Sequence, residues 1–189
     1  MKLQASIAAL MLCVSSAVAQ AQEVEVSLSN DTVLARYVMP ISYSGYGRTD
    51  ADFGVMYTES DDFMMSLGLS MMGEVGSHAP GLHGGVSIRA YGVGLDVGDD
   101  VGALTLGGKA WYVPPAMTRV GVVGQLNFGP DITTFGDAKR FWDFNMRAEY
   151  EVLPEAAAFL GYRKVRTRLE RGIDVDLDKG WHIGLRMSF

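Results

Sequence analysis

The stretch "RFWDFNMRAEYEV" (residues 140–152) alternates almost without a break. Trp142, Phe144, Met146, Ala148, Tyr150 and Val152 share one parity, and Asp143, Asn145, Arg147, Glu149 and Glu151 share the other. Successive side chains of a strand leave opposite faces, so these residues form a strand with one apolar and one charged surface. Two environments suit such a strand. A soluble barrel of the lipocalin kind points its apolar face inward and its charges to water. An outer-membrane barrel reverses this, with lipid outside and a polar lumen inside.

Segments of the same kind fill most of the chain. Strands are expected at 23–29, 32–39, 51–59, 62–74, 85–97, 102–113, 118–129, 140–152, 157–170 and 178–189. They are separated by turn signals such as Asn30-Asp31, Ser60-Asp61-Asp62, Gly98-Asp99-Asp100, Pro114-Pro115 and Leu153-Pro154-Glu155. No amphipathic helical stretch lies between them, so the pattern predicts an antiparallel up-and-down meander. Single bacterial chains close such barrels with an even number of strands. Ten strands fit the segments; merging the first two would give an awkward nine, and a hairpin left outside the wall gives eight as the alternative. Segments 130–139 and 171–177 suit longer external loops.

The details favour lipid. Tyr37, Tyr57, Tyr112, Trp142, Tyr150, Trp181 and Phe189 lie near strand ends, where aromatic girdles form. Phe63, Met65, Leu67, Leu69 and Met71 make one face of a strand uniformly apolar. The opposite faces collect glycine, serine and charge: Arg36, Arg89, Lys109, Arg147, Glu149, Arg163 and Arg186 form a candidate lumen network of both signs. Placing an arginine at the lipid midplane costs about 2–4 kcal/mol, so a one-residue slip of such a strand is strongly opposed. One strand is irregular. Val86, Ile88 and Ala90 keep one parity while Tyr91, Val93, Leu95 and Val97 keep the other, which predicts a bulge near Ala90. Trp111 is also out of step and is expected to face the lumen.

The amino terminus reads as an export signal rather than as structure. Lys2 precedes an apolar run, and Ala19-Gln20-Ala21 or Ala17-Val18-Ala19 offers a cleavage site, so residues 1–21 are expected to leave and 22–189 to form the barrel domain. The sole cysteine, Cys13, leaves with the signal; bulky Leu12 before it argues against lipidation. Losing Lys2 takes the formal charge from -6 to -7. An acidic chain is a poor partner for nucleic acid. No apolar run after the signal reaches the roughly 20 residues of a membrane helix.

The chain closes on "GWHIGLRMSF" (residues 180–189), another alternating strand, with an aromatic as its last residue. His182, Gly184, Met187 and Phe189 resemble the terminal insertion signal read by the bacterial barrel-assembly machinery. "FGDAKRFWDFNMRAEYEVL" (from Phe135), "LGYRKV" (from Leu160), "DVDLDKGWHIGLRMSF" (from Asp174) and, more weakly, "NDTVLARY" (from Asn30) resemble the YfaZ family of outer-membrane proteins. The resemblance implies an outer-membrane barrel among lipid and lipopolysaccharide, and carries over no catalytic residues.

The chemistry-bearing residues support little else. His78 and His83 share a glycine-rich segment without an evident third ligand, so neither a metal site nor a cofactor is expected. His182 and Ser188 lie about 20 Å apart along one strand, too far for a nucleophile and its base. "GALTLGGKA" (residues 102–110) has the wrong lysine spacing for a phosphate loop. Asp174, Asp176 and Asp178 are candidates for attracting divalent cations, with solvated turn aspartates as the commoner explanation. The expectation is a barrel with a structural or interaction role and no catalysis. The alternatives are a narrow channel or small-ligand binder lined by Arg147, Arg163 and Arg186, and, less favoured, a lipid-modifying outer-membrane enzyme.

Overall fold

The computed structural model describes residues 22–45, 47–76, 79–95, 100–136, 138–169 and 172–189. The expected export signal lies outside them, as do Ser77, His78 and Asp99. The strands are β1 (Glu23–Ser29), β2 (Thr32–Ser44), β3 (Gly47–Thr58), β4 (Phe63–Glu74), β5 (Leu82–Gly94), β6 (Asp100–Tyr112), β7 (Val120–Gly129), β8 (Thr134–Gly136), β9 (Ala138–Leu153), β10 (Ala156–Leu169) and β11 (Asp174–Ser188). Ten of them form a wall in which every neighbour is antiparallel. β1 pairs with β11 from Glu23↔Ser188 to Ser29↔His182, which closes the sheet on itself. Closure pairs the backbone groups that an open edge would leave to hydrocarbon. The eleventh strand, β8, is a three-residue continuation of the line of β7 along β6, after a single 3-10 turn at Asp131–Thr133.

Gln22, Phe189 and the connections β2–β3, β4–β5, β6–β7 and β9–β10 lie at one end of the cylinder, the terminus end. The remaining connections lie at the opposite, loop end. Here the Ser60-Asp61-Asp62 turn is held by Thr58, whose N–H donates 3.0 Å to the Asp62 carbonyl and whose hydroxyl oxygen accepts 3.1 Å from the Asp62 N–H. Asp61 adopts a φ of 62°, a conformation that aspartate tolerates better than most residues.

Accessibility decides between the two barrels. Leu106 is 66% and Trp181 68% exposed, whereas Arg163 is 2% and Asn127 0%. An apolar exterior that encircles the molecule far exceeds the patch a soluble monomer presents to water, and the charges are inside. The soluble-carrier alternative is thereby excluded by the geometry of the wall. Tyr57, Phe63, Phe128, Trp142 and Trp181 ring the loop end, and Tyr112, Tyr150 and Phe189 the terminus end.

Several local expectations are corrected. No bulge occurs near Ala90: the β4–β5 register runs unbroken through Leu67↔Ala90 and Ser66↔Tyr91. Tyr91, Val93 and Leu95 instead point inward, because the loop-end interior is apolar and takes them as core. Register shifts fall at Pro40/Ser42, Ala156/Ala157, Val165/Arg166 and Arg168/Leu169. Residues 40–44 and 47–50 are strand rather than loop, extending the β2–β3 hairpin. The 130–139 segment folds into the 3-10 turn, β8 and the start of β9, and Asp174 onward is already β11, so neither expected long loop is present as such.

Candidate functional site

The inward side chains fall into two tiers. Around the middle and terminus end runs a chain of alternating charge. Arg48 bonds Asp50 at 2.8 Å and Glu23 at 3.2 Å. Glu23 lies 3.8 Å from Arg186, which reaches Glu149 at 3.0 Å. Glu149 accepts from Arg147 Nε at 2.7 Å, and the other edge of the same guanidinium grips Glu25 in bidentate fashion at 3.1 and 2.5 Å. Glu25 and Asp52 each lie 3.8 Å from Arg36. Asp52 accepts from Arg89 at 2.7 and 2.9 Å, and Arg89 in turn approaches Asp143 at 3.9 Å.

Arg163 makes a separate cluster. It bonds Asp178, donates 3.0 Å to Thr32 Oγ1 and 3.3 Å to Ser27 Oγ, and Thr32 closes the ring with a 3.2 Å bond to Asp178. Lys109 faces the same tier from β6 without a direct ion-pair partner among the described residues. With Lys109 and Arg163–Asp178 included, seven cations meet seven carboxylates in this tier. Desolvating a charge costs several kcal/mol unless partners surround it, and the alternation supplies them.

Above the charges, toward the loop end, the lumen is apolar. Met56, Phe141 and Val165 are buried to 1% exposure or less and pack with Leu34, Met64, Val93, Leu95, Val101, Leu169 and Leu177. Tyr91 joins the tiers: its ring packs on Phe141 with centroids 4.4 Å apart, and its hydroxyl donates to Asp143. Asn127 donates 3.4 Å to the same hydroxyl, and Ser87 donates 2.8 Å to Asn127. At the terminus end the lumen widens into a vestibule of about 750 Å³ lined by Tyr43, Arg48, Met72, Glu74, His83 and Trp111 among others. Trp111 does face inward, with the Arg186 guanidinium 5.9 Å from its ring centroid.

Arg36, Arg89, Lys109, Arg147, Glu149, Arg163 and Arg186 thus all lie on the lumen side, and all but Arg163 and Lys109 belong to one connected chain of ion pairs. Sequence reading missed most of the acids: Glu23, Glu25, Asp50, Asp52 and Asp178, and with them Arg48. Parity was a sufficient signal for Glu23 and Glu25, which alternate with Val24 and Val26. Asp50 and Arg48 escape because β3 begins at Gly47, four residues before the expected strand 51–59.

His182 is buried at 2% exposure, edge-on to Phe159 with centroids 5.9 Å apart, and makes no hydrogen bond through either ring nitrogen. Gly184 faces inward beside it; Met187 and Phe189 face outward. Of the three aspartates considered for divalent cations, Asp178 turns into the lumen, while Asp174 and Asp176 are taken by Arg166 and Arg168. No cluster of ligands suited to a metal ion occurs among the described residues.

A closed ten-stranded wall, apolar without and charged within, defines an outer-membrane β-barrel protein. The chain belongs to the YfaZ family, whose model, described as YfaZ precursor, matches residues 1–189. Among solved structures the barrel is similar to the outer membrane channel DcaP of Acinetobacter baumannii, at 10% identity and a TM-score of 0.47, over 87% of this chain and 54% of that one. This chain therefore spans about half the length of that channel. It is also similar to a chain described under "Unveiling the Mechanism Behind the in-meso Crystallization of Membrane Proteins", at 10% identity and a TM-score of 0.46, over 90% of this chain and 83% of the other. Nothing among the curated proteins compared matches.

Proposed function

We propose that this protein is a sealed outer-membrane barrel that serves a structural or interaction role without catalysis. The observation that carries this reading is the apolar tier around Phe141, Met56 and Tyr91, which lies across the lumen above the ion pairs. An ion moving along the axis would have to leave a tier of matched charges and enter a close-packed, water-excluding one. The charges other than Lys109 are engaged with one another, which supports a role in the wall rather than toward a solute.

Export through a cleaved signal, and recognition of His182, Gly184, Met187 and Phe189 by the assembly machinery, belong to the same reading. The non-catalytic role is supported by the surroundings of the candidate bases: His182 touches Phe159 rather than a nucleophile, and His83 stacks near Trp111 at 5.8 Å. Planar-bilayer recording on the purified full barrel tests the proposal. No discrete conductance is expected from the wild type; a stable, ion-selective conductance that changes on Arg163→Ala would overturn it in favour of a channel.

A second reading, a small-ligand binder, draws on the terminus-end vestibule, where the buried Trp111 Nε1 and His83 Nδ1 have no hydrogen-bond partner. Quenching of Trp111 fluorescence by a polar periplasmic solute, abolished by Trp111→Phe, would favour it.

A further inference from the structure

The outward face of the wall carries one feature that a purely lipid-facing surface does not explain. Among the described residues, the outward positions of β1 to β7 hold no lysine or arginine. On β9, β10 and β11, Arg140, Lys164, Arg166, Arg168 and Lys179 all face outward near the loop end. Their order along the strands is regular. One row across the three strands is Met146, Tyr162 and Trp181; the next toward the loop end is Phe144, Lys164 and Lys179; then come Trp142, Arg166 and Asp176, and finally Arg140, Arg168 and Asp174. The cations therefore begin within the aromatic girdle, between the rows of Trp181 and Trp142, at the height where lipid headgroups meet hydrocarbon.

Two of these contacts are unfavourable in isolation. Lys164 sits directly opposite Lys179, and Arg168 directly opposite Arg140, and like charges at cross-strand positions destabilise a sheet. Asp174 and Asp176 compensate only in part: Arg166 bonds Asp176 at 2.5 and 3.0 Å and Arg168 meets Asp174 at 3.3 Å, which leaves Arg140, Lys164 and Lys179 as the surplus. In an acidic chain this surplus is local and one-sided. Arg140, Arg166 and Arg168 also wall a cleft of about 160 Å³ with Trp142 and Asp174.

We propose that this strip docks the phosphate groups of lipid A, the phosphorylated anchor of lipopolysaccharide, against the outside of the barrel. The inference rests on the outer-membrane reading, with the loop end facing the outer leaflet, and adds to it a specific partner site. Guanidinium groups pair with phosphate through forked, charge-assisted hydrogen bonds, and the two ammonium groups supply charge at the edge of the hydrocarbon. An anion bridging Arg140 to Arg168 and Lys164 to Lys179 turns two repulsive contacts into favourable ones.

Native mass spectrometry of the full barrel, released from neutral detergent, tests this with bisphosphorylated lipid A, dephosphorylated lipid A and inorganic phosphate as probes. Stoichiometric retention of bisphosphorylated lipid A is expected, weakened at least tenfold by Arg140→Gln/Lys164→Gln/Arg168→Gln. The milder Lys164→Gln/Lys179→Gln variant relieves a like-charge contact, so it is expected to keep heat-modifiable mobility while still losing lipid A. Equal retention of the dephosphorylated lipid, or unchanged retention by both folded variants, would overturn the proposal, as would inorganic phosphate competing fully at millimolar concentration, the mark of an adventitious ion only. None of these outcomes bears on whether the lumen conducts, which the bilayer recording decides separately.

Discussion

Phe189 and Gln22 exchange two backbone hydrogen bonds, 3.1 Å from Gln22 N to the Phe189 carbonyl and 2.9 Å from Phe189 N to the Gln22 carbonyl. The last residue is thereby the last rung of the β1–β11 ladder that closes the wall, and its ring lies outward in the terminus-end girdle. Deleting Phe189 removes this rung and the outward, lipid-facing ring together. A loss of about 2–4 kcal/mol is expected, read as a lower urea midpoint for the barrel refolded in lipid vesicles.

Gly184 provides a way to separate packing from assembly. A Cβ at this position would lie 2.3 Å from the Phe159 ring and 2.4 Å from the Val26 carbonyl oxygen, and the backbone atom has no freedom to retreat. Gly184→Ala is therefore expected to cost about 1–3 kcal/mol even when the protein refolds in vitro with no assembly machinery present. Unchanged in vitro stability together with poor assembly in cells would assign the glycine to recognition alone.

Arg147 stands between Glu25 and Glu149, and the Phe159 ring lies 4.5 Å below its guanidinium carbon. Arg147→Ala leaves two buried carboxylates without their shared cation, so a destabilisation of about 3–5 kcal/mol is expected. Adding Glu25→Gln to this variant should restore part of the loss, because one of the stranded charges is then gone. A double-mutant cycle by urea unfolding in vesicles measures the coupling; strict additivity would contradict the pairing.

Tyr91 ties the apolar tier to the charged one through Asp143. Tyr91→Phe keeps the ring on Phe141 but withdraws the hydroxyl, leaving Asp143 with only the distant Arg89 and Asn127 without its acceptor. An expected cost of about 1–3 kcal/mol follows from leaving buried polar groups unsatisfied, whereas a solvent-filled lumen would absorb the change with little effect on the unfolding midpoint.

The wall was legible in the sequence because each strand writes its own orientation: a period of two with arginine on one parity and leucine on the other admits only one placement in lipid. The count of ten followed from the turn residues, and the structure supports it with β8 as a fragment. What escaped was the interior. Reading the lumen as uniformly polar made Tyr91, Val93 and Leu95 look like a register error, and passed over Phe141, an apolar residue on the charged parity of the very strand that decides the fold. Parity tells which face a side chain occupies but not whether that face is wet at a given height, since this depends on what the nine other strands bring to the same level. The acids were missed for a related reason: Glu25 lies 122 positions from Arg147 in the chain, and only closure brings them together.

The central claim is that the apolar parity faces lipid. Nitroxide labels placed singly at residues 142–150 of the vesicle-embedded barrel test it most directly, through their accessibility to oxygen and to a water-soluble nickel chelate. Even positions should be open to oxygen and closed to nickel, and odd positions should be shielded from both. Labels that are immobilised at even positions and open to nickel at odd ones would contradict the account, because the barrel would then hold its apolar side chains within.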